Sequence, residues 1–265
     1  MLKLYPLFSG SSGNMYLIKS PTSAVLVDIG VSFKSLKTCL TNLNMDLTDI
    51  SALFITHEHS DHILGLTTFI NKTDIPIYTA DGTRKYILDK YGVKFKTIPN
   101  INIIKPETSI KIGDITVTPF STSHDAADPV GYTLQHDDST LTIATDLGVV
   151  NDNVYDHLIN SNLSLIEANY DRNLLLLGDY TYPLKCRIQS DFGHLSNNDA
   201  SNLILDLARL GKRDFVLGHI SKNNNEPEQA MFEVTTTLKN NGFDLNDFNI
   251  ACATRDMSFE EYVLW

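Results

Sequence analysis

The sequence is poor in the features that mark several large classes of protein. Cysteine occurs only at positions 39, 186 and 252, with no Cys-x-x-Cys pair. An odd number of widely spaced thiols excludes a disulfide-stapled scaffold and points to a reducing, cytoplasmic compartment. No apolar run approaches the roughly 18–20 residues of a membrane-spanning helix, and the stretch Leu4–Phe8 is too short for a signal peptide. A membrane partner is therefore not expected. Pro/Gly-rich linkers, internal repeats and low-complexity tracts are missing too, so the 265 residues read as one domain, 1–265. Positive charge is scarce: 21 Lys and Arg stand against 32 Asp and Glu, a formal net charge of −11. That balance argues against a protein that sticks to any polyanion.

Apolar residues make up 42% of the chain, enough for a sizeable core. Period-two patterns predict strands at Leu2–Phe8, Met15–Ile18 and Ala24–Ile29, and a buried strand at Ala52–Ile55. Further strands are expected at Ile75–Tyr78, Ile110–Ile112, Ile115–Thr118, Gly131–His136, Leu141–Ala144, Leu163–Ala168, Phe215–Leu217 and Ile250–Ala253. Helices are expected from a Ser32 cap to about Leu43, from Ile63 with Leu64, Leu66, Phe69 and Ile70 on its apolar face, over Asp81–Tyr91, over Ser196–Leu210 and over Glu228–Asn240. Ser196 with Asp199 three residues on has the form of a capping box. Periodicity alone gives α plus β in two layers or more.

The chain is organised around Phe54-Ile55-Thr56-His57-Glu58-His59-Ser60-Asp61-His62. A buried strand ends in a loop that carries three imidazoles and a carboxylate within six residues. His57 and His59, two apart, can point the same way, and Asp61 and His62 in a first helical turn can face back toward them. Converging donors of this kind are stable around a divalent cation. Surface histidines would not cluster so, and a closed structural zinc site would favour cysteine, which is absent here.

His57-x-His59-x-Asp61-His62 resembles the signature of the metallo-β-lactamase fold superfamily. The resemblance implies a four-layer αββα sandwich of α+β class, with the site where the sheets meet at one edge. It also implies further ligands, matched by His124 in Ser121-Thr122-Ser123-His124, Asp146 in Ala144-Thr145-Asp146-Leu147-Gly148, and His219 in Leu217-Gly218-His219. Carried over, His57, His59 and His124 hold one cation, Asp61, His62 and His219 the other, and Asp146 bridges. Zinc suits this set, and manganese or iron are compatible with it. Asp61 could also orient the attacking hydroxide or take its proton. An Asp rather than a Cys at the bridge is the phosphodiesterase and lactonase type, unlike the Cys-containing β-lactamases.

Within that superfamily Ser9–Asn14, Glu167–Asp171, Gly193–Asn197 and Ser221–Asn224 resemble the YycJ/WalJ group. That group implies a bacterial cytoplasmic DNA exonuclease. Ser11, Ser12, Asn14, Asn169 and Lys222 are candidate substrate contacts, the first three on a turn that reads equally as a plain β-turn. Tyr170 departs from the pattern, where a His is expected. His194, just before the Ser196 cap, is the candidate general acid, beside a phosphate at the helix start. Asp28 is expected to serve structure, and His136 and His157 to be solvated. An acidic chain acting on DNA needs a local basic strip, for which Arg172, Lys185, Arg187, Arg213 and Lys222 are candidates. The competing readings are a small-substrate hydrolase (cyclic phosphodiesterase, lactonase or thioesterase), which the acidic charge favours, and a regulatory module with a vestigial site.

Overall fold

Alternation of apolar side chains over both faces of the strands builds two sheets that are each covered twice. The computed structural model describes residues 1–96 and 99–264. In chain order the elements are β1 (Leu2–Phe8), β2 (Met15–Lys19), β3 (Ala24–Val27), α1 (Phe33–Asn42), β4 (Ala52–Phe54), α2 (Ser60–Ile63), α3 (Leu66–Lys72), β5 (Ile77–Thr79), α4 (Asp81–Tyr91) and β6 (Ile101–Ile103). There follow β7 (Ile110–Ile112), β8 (Ile115–Ser121), β9 (Val130–His136), β10 (Ser139–Ala144), α5 (Asp152–Ile159), β11 (Leu163–Glu167), α6 (Arg172–Leu177) and α7 (Tyr182–Ile188). The chain closes with α8 (Asn197–Arg209), β12 (Asp214–Gly218), α9 (Pro227–Asn240), β13 (Asn249–Cys252) and β14 (Tyr262–Leu264).

The first sheet has the order β14-β1-β2-β3-β4-β5-β6 and the second β13-β12-β11-β10-β9-β8-β7. β3 to β6 run parallel, as do β10 to β13, while the remaining neighbours are antiparallel. Leu4, Ile18, Val25, Val27 and Phe54 of the first sheet meet Val117, Tyr132, Leu141, Ile143 and Leu165 of the second in a central core. The opposite face of the first sheet packs on α1, α3 and α4 through Leu36, Leu40, Phe69 and Ile87. The outer face of the second packs on α5, α8 and α9 through Leu158, Ile204, Val234 and Leu238. This is the expected αββα order.

The helix expected from Ile63 is in fact two short ones, and Leu64 is 65% exposed instead of facing the core. The break falls at Gly65, whose N–H donates to Ile29 O at 2.9 Å and where a Cβ would stand 2.4 Å from Val31 O. β6, β14, α6 and α7 were not legible in the pattern. Each is short, and α6 and α7 leave Leu176, Leu177 and Tyr182 exposed, so they carry no clean apolar period.

A close backbone approach ties the end of β3 to α2. A Cβ on Gly30 would lie 1.6 Å from Asp61 O and 2.6 Å from Asn14 N. Gly30→Ala is expected to cost about 1–3 kcal/mol by forcing these backbones apart. Urea denaturation checks the cost, and unchanged stability would contradict it.

Candidate metal centre

Where a parallel strand ends, the backbone turns away and its next side chains are released from the pleat. Five such ends meet at one edge of the sandwich. Asp28 follows β3, His57 and His59 follow β4, Asp146 follows β10, Glu167 ends β11 and His219 follows β12. α2 contributes Asp61 and His62, the loop between β8 and β9 contributes His124, and the loop before α8 contributes His194. Asp28, Asp146 and His219 lie in the left-handed region, with φ of 62°, 58° and 53°. A non-glycine residue there costs energy and persists only where its surroundings hold it.

The donors form four groups in which the ligand atoms all lie within 4.8 Å of one another: His57, His59 and His124; Asp61, His62 and His219; His57, His62 and Asp146; and Asp146, Glu167, His194 and His219. Asp146 faces both trios, with Oδ2 3.4 Å from His62 Nε2 and Oδ1 3.7 Å from His124 Nε2 and 3.6 Å from His219 Nδ1. His124 Nε2 and His59 Nδ1 stand 3.2 Å apart, and Asp61 Oδ2 lies 3.5 Å from both His62 Nε2 and His219 Nε2.

The outer nitrogens of these rings are fixed by the protein. His62 Nδ1 donates to Asp28 Oδ2 at 2.7 Å, and Thr56 donates its N–H and hydroxyl to the same carboxylate at 2.8 and 2.9 Å. With the Thr56 hydroxyl proton so engaged, His57 Nδ1 at 3.1 Å donates to Thr56 Oγ1. His124 Nδ1 donates to Gly193 O at 2.9 Å. Each ring thus turns its other nitrogen toward the centre, the arrangement a metal-bound imidazole needs once that nitrogen has no proton.

Among the described residues four buried side-chain polar atoms lack a hydrogen-bond partner, and three of them are His57 Nε2, Asp146 Oδ2 and His219 Nε2. Buried polar atoms are seldom left so. Orphaned imidazole and carboxylate donors pointing at one another fit divalent cations.

Electrostatics agree. Burial, then the neighbouring imidazoles, holds His57 well below its ordinary pKa, and burial also lowers His124. Burial would lower His62 as well, but Asp146, Asp28 and Asp61 outweigh it and hold it at about 9. His219 is raised likewise by Asp146, Asp61 and Glu167. Asp146 would be pushed up by burial, yet His219, His62 and His124 bring it below the carboxylate range. Protons on His62 and His219 thus balance the buried carboxylates when cations do not.

Glu167 escaped the sequence reading as a site residue. It is fully buried, and its Oε1 accepts from His219 Nδ1 at 2.7 Å and His194 Nδ1 at 2.8 Å. Its Oε2 accepts from Leu147 N and Leu195 N at 2.9 and 3.2 Å. Its hints were its position at the end of an apolar strand and at the head of the Glu167–Asp171 segment. Asp28, expected to be only a structural carboxylate at a strand end, instead accepts from His62 Nδ1 and so orients a ring of the centre.

The other predicted residues divide. Asn14 is buried, with Nδ2 3.1 Å from His62 Nε2 and 3.5 Å from Asp61 Oδ2. Ser11 and Ser12 stand exposed on their turn. Asn169 donates to His219 O at 2.8 Å, a positioning contact, and Lys222 is exposed. His194 faces the centre, but the helix start beside it is not open to phosphate. Asp199 fills it, bonded to Ser196 in a capping box and to Arg172 at 2.8 Å. Tyr170 packs with Leu175 and Ile188, apart from the donors. His136 and His157 are not solvated. His136 is buried against Asp114 at 3.2 Å, and His157 stacks on Phe120 at 4.4 Å. The basic strip does not form: Arg172 pairs with Asp199, Arg187 with Asp125, Lys185 donates to Leu176 O and Gly178 O, and Arg213 donates to Ala208 O and Lys212 O.

Residues 24–220 match the protein-family model described as a beta-lactamase superfamily domain. The chain is 33% identical over 244 residues to exodeoxyribonuclease YycJ of Bacillus anthracis, covering 91% of this chain and 90% of that protein. It is 36% identical over 233 residues to exodeoxyribonuclease WalJ of Streptococcus pneumoniae, covering 88% and 86%. Among solved structures, Zn(2+)-bound PqqB from Methylobacterium extorquens shares the fold with a TM-score of 0.73 at 15% identity, covering 99% of this chain and all of that one (100%).

A cation held by His62 and His219 would take the place of their protons. Metal uptake by the metal-free protein is therefore expected to release protons. Apparent affinity should rise with pH up to about 9, where His62 deprotonates unaided. Titration calorimetry in buffers of different ionisation enthalpy checks this, and pH-independent uptake between neutrality and that value would contradict it.

Proposed function

The chain belongs to the beta-lactamase superfamily, in its YycJ/WalJ-like group, and from that membership and its cluster of donors we propose that it is a two-metal phosphodiesterase that acts on DNA as an exonuclease. Metal-dependent hydrolysis of phosphoester bonds is the common ground of that family and this donor set. The observation that carries the proposal is the pair of three-donor groups facing Asp146, with orphaned buried nitrogens and oxygen aimed between them. A vestigial module would have no reason to keep them.

In this reading His57, His59 and His124 hold one cation, Asp61, His62 and His219 the other, and Asp146 serves both. Zinc is the proposed metal; manganese and iron fit the same donors. When bound, the cations supply Lewis acidity, which makes water nucleophilic near neutral pH and neutralises charge on the phosphate. The protein supplies position and proton movement. Asp61, 22% exposed through its side chain, is the donor carboxylate open to a water and accepts its proton. His194 has Nδ1 committed to Glu167, which leaves Nε2 to give a proton to the departing oxygen. Glu167 fixes His194 and His219 with one oxygen, so the acid and a metal-holding ring keep a constant relation. We place the enzyme in the cytoplasm, acting as one domain over residues 1–265.

The reading is tested by a panel on the metal-loaded protein. Bis-p-nitrophenyl phosphate and DNA strands should be turned over. Lactones and nitrocefin should not be, since Asp146 stands where β-lactamases of Cys type carry sulfur. Lactone turnover exceeding that of DNA would favour the small-substrate alternative instead.

Protein purified without chelator should carry about two equivalents of metal. Asp146→Ala should lower that content and abolish hydrolysis while the circular dichroism spectrum stays unchanged. One equivalent that excess zinc or manganese does not raise would sink the two-metal assignment.

His194→Ala should keep its metal and lose rate on DNA on the order of 10²-fold, as expected for a missing general acid. The loss should shrink for a p-nitrophenolate leaving group, which needs no proton. Loss of a metal equivalent in this variant would make His194 a ligand.

A further inference from the structure

We propose that the face formed by α1 and α3 binds the phosphates of the substrate strand beyond its reacting end. The proposal rests on the nuclease reading and answers a difficulty within it: the chain carries a net charge of −11, and the arginines and lysines near the motif loops are mostly engaged.

A groove of about 830 Å³ runs between α1 and α3, lined by Lys34, Lys37 and Lys72 together with Phe33, Thr38 and Thr68. The two segments that build it, residues 32–45 and 63–73, contain no Asp or Glu in a chain that has 32. Asp46 and Asp74 come only just past their ends. The positive face extends further. Asn71 at the end of α3 accepts from Lys96 N at 2.7 Å and donates to Lys94 O at 3.0 Å, so that segment lies alongside. All five lysines are exposed. Among the described residues the lysine ion pairs are Lys3–Glu261 and Lys85–Asp81, neither on this face. Unpaired lysines gathered where carboxylates are excluded suit a polyanion.

The face also has a direction. Ile29 N donates to His62 O and Gly65 N to Ile29 O, both at 2.9 Å, so the chain entering α1 and the chain entering α3 are stitched together beside the metal loop. Both helices start at that end and run away from it. α1, with 10 residues, reaches about 15 Å. A strand whose end lies among the histidines can lie along the lysines as it leaves. Contacts to the unreacting part of a substrate hold the reacting part in place.

The test uses the metal-loaded full chain with Lys34, Lys37 and Lys72 all changed to Gln, and a companion with all three changed to Arg. Rates are measured on bis-p-nitrophenyl phosphate, on a dinucleotide and on a long single-stranded oligodeoxynucleotide. The Gln variant should raise KM on the long strand about 10-fold and reduce the slope of log affinity against log salt by about 2, as three lost phosphate contacts require. Turnover of the two small substrates should stay unchanged, and the Arg variant should restore the long strand. Unchanged KM on the long strand would overturn the proposal, and so would equal losses on all three substrates. Binding of wild type, but not the Gln variant, to vesicles of anionic phospholipid, with DNA kinetics unmoved, would reassign the face to a membrane and overturn it too. A wild type that hydrolyses bis-p-nitrophenyl phosphate but no DNA would fail the nuclease reading and this proposal with it.

Discussion

Burying carboxylates against imidazoles is the constraint on which this molecule turns. Asp146 is 3% exposed, and Glu167 and Asp28 are fully buried, each within hydrogen-bond or near-contact distance of a histidine ring. Such groups destabilise a fold unless every charge meets its complement. The sandwich meets that demand by bringing the ends of five parallel strands to one edge, where each side chain arrives from a different direction. The two sheets thus do more than enclose a core, since the relation between them sets the distance between Asp146 on one and His57 and His62 on the other.

Much of this was legible because it is local. Six of the eight histidines face the centre, and three of them lie between residues 57 and 62, so spacing alone announced them. The alternation of Leu2 to Phe8 and the capping box at Ser196 predicted their elements for the same reason. What was missed depends on residues far apart in the chain. Glu167 ends an ordinary apolar strand, and its partners lie 27 and 52 residues away. His157 was misread because Phe120, the ring it stacks on, belongs to another element. The arginines near the motif loops looked free until Asp125 and Asp199 were seen to hold them.

The distribution of charge matters more than its sum. Negative charge at the centre is enclosed and balanced at close range, by imidazolium when the protein is empty and by cations in the proposed enzyme. Across the outer surface the carboxylates are spread widely, yet two neighbouring helices hold none. A net value of −11 averages over both situations and describes neither. Counted over the whole chain, charge pointed toward a small substrate; resolved by element, it does not.

Asp28, Asp146 and His219 each turn the chain out of a strand with the backbone in a left-handed conformation. Judged by backbone alone, glycine would suit all three places better, above all position 219, where the side chain is largest. Chemistry forbids it, because each side chain holds or faces the donors. Selection for a hardier fold and selection for a working enzyme therefore pull in opposite directions at these positions. Libraries sorted by resistance to heat would drift toward glycine there, while libraries sorted by turnover would purge it. At these three places a strained backbone is the cost of the side chain that faces the centre.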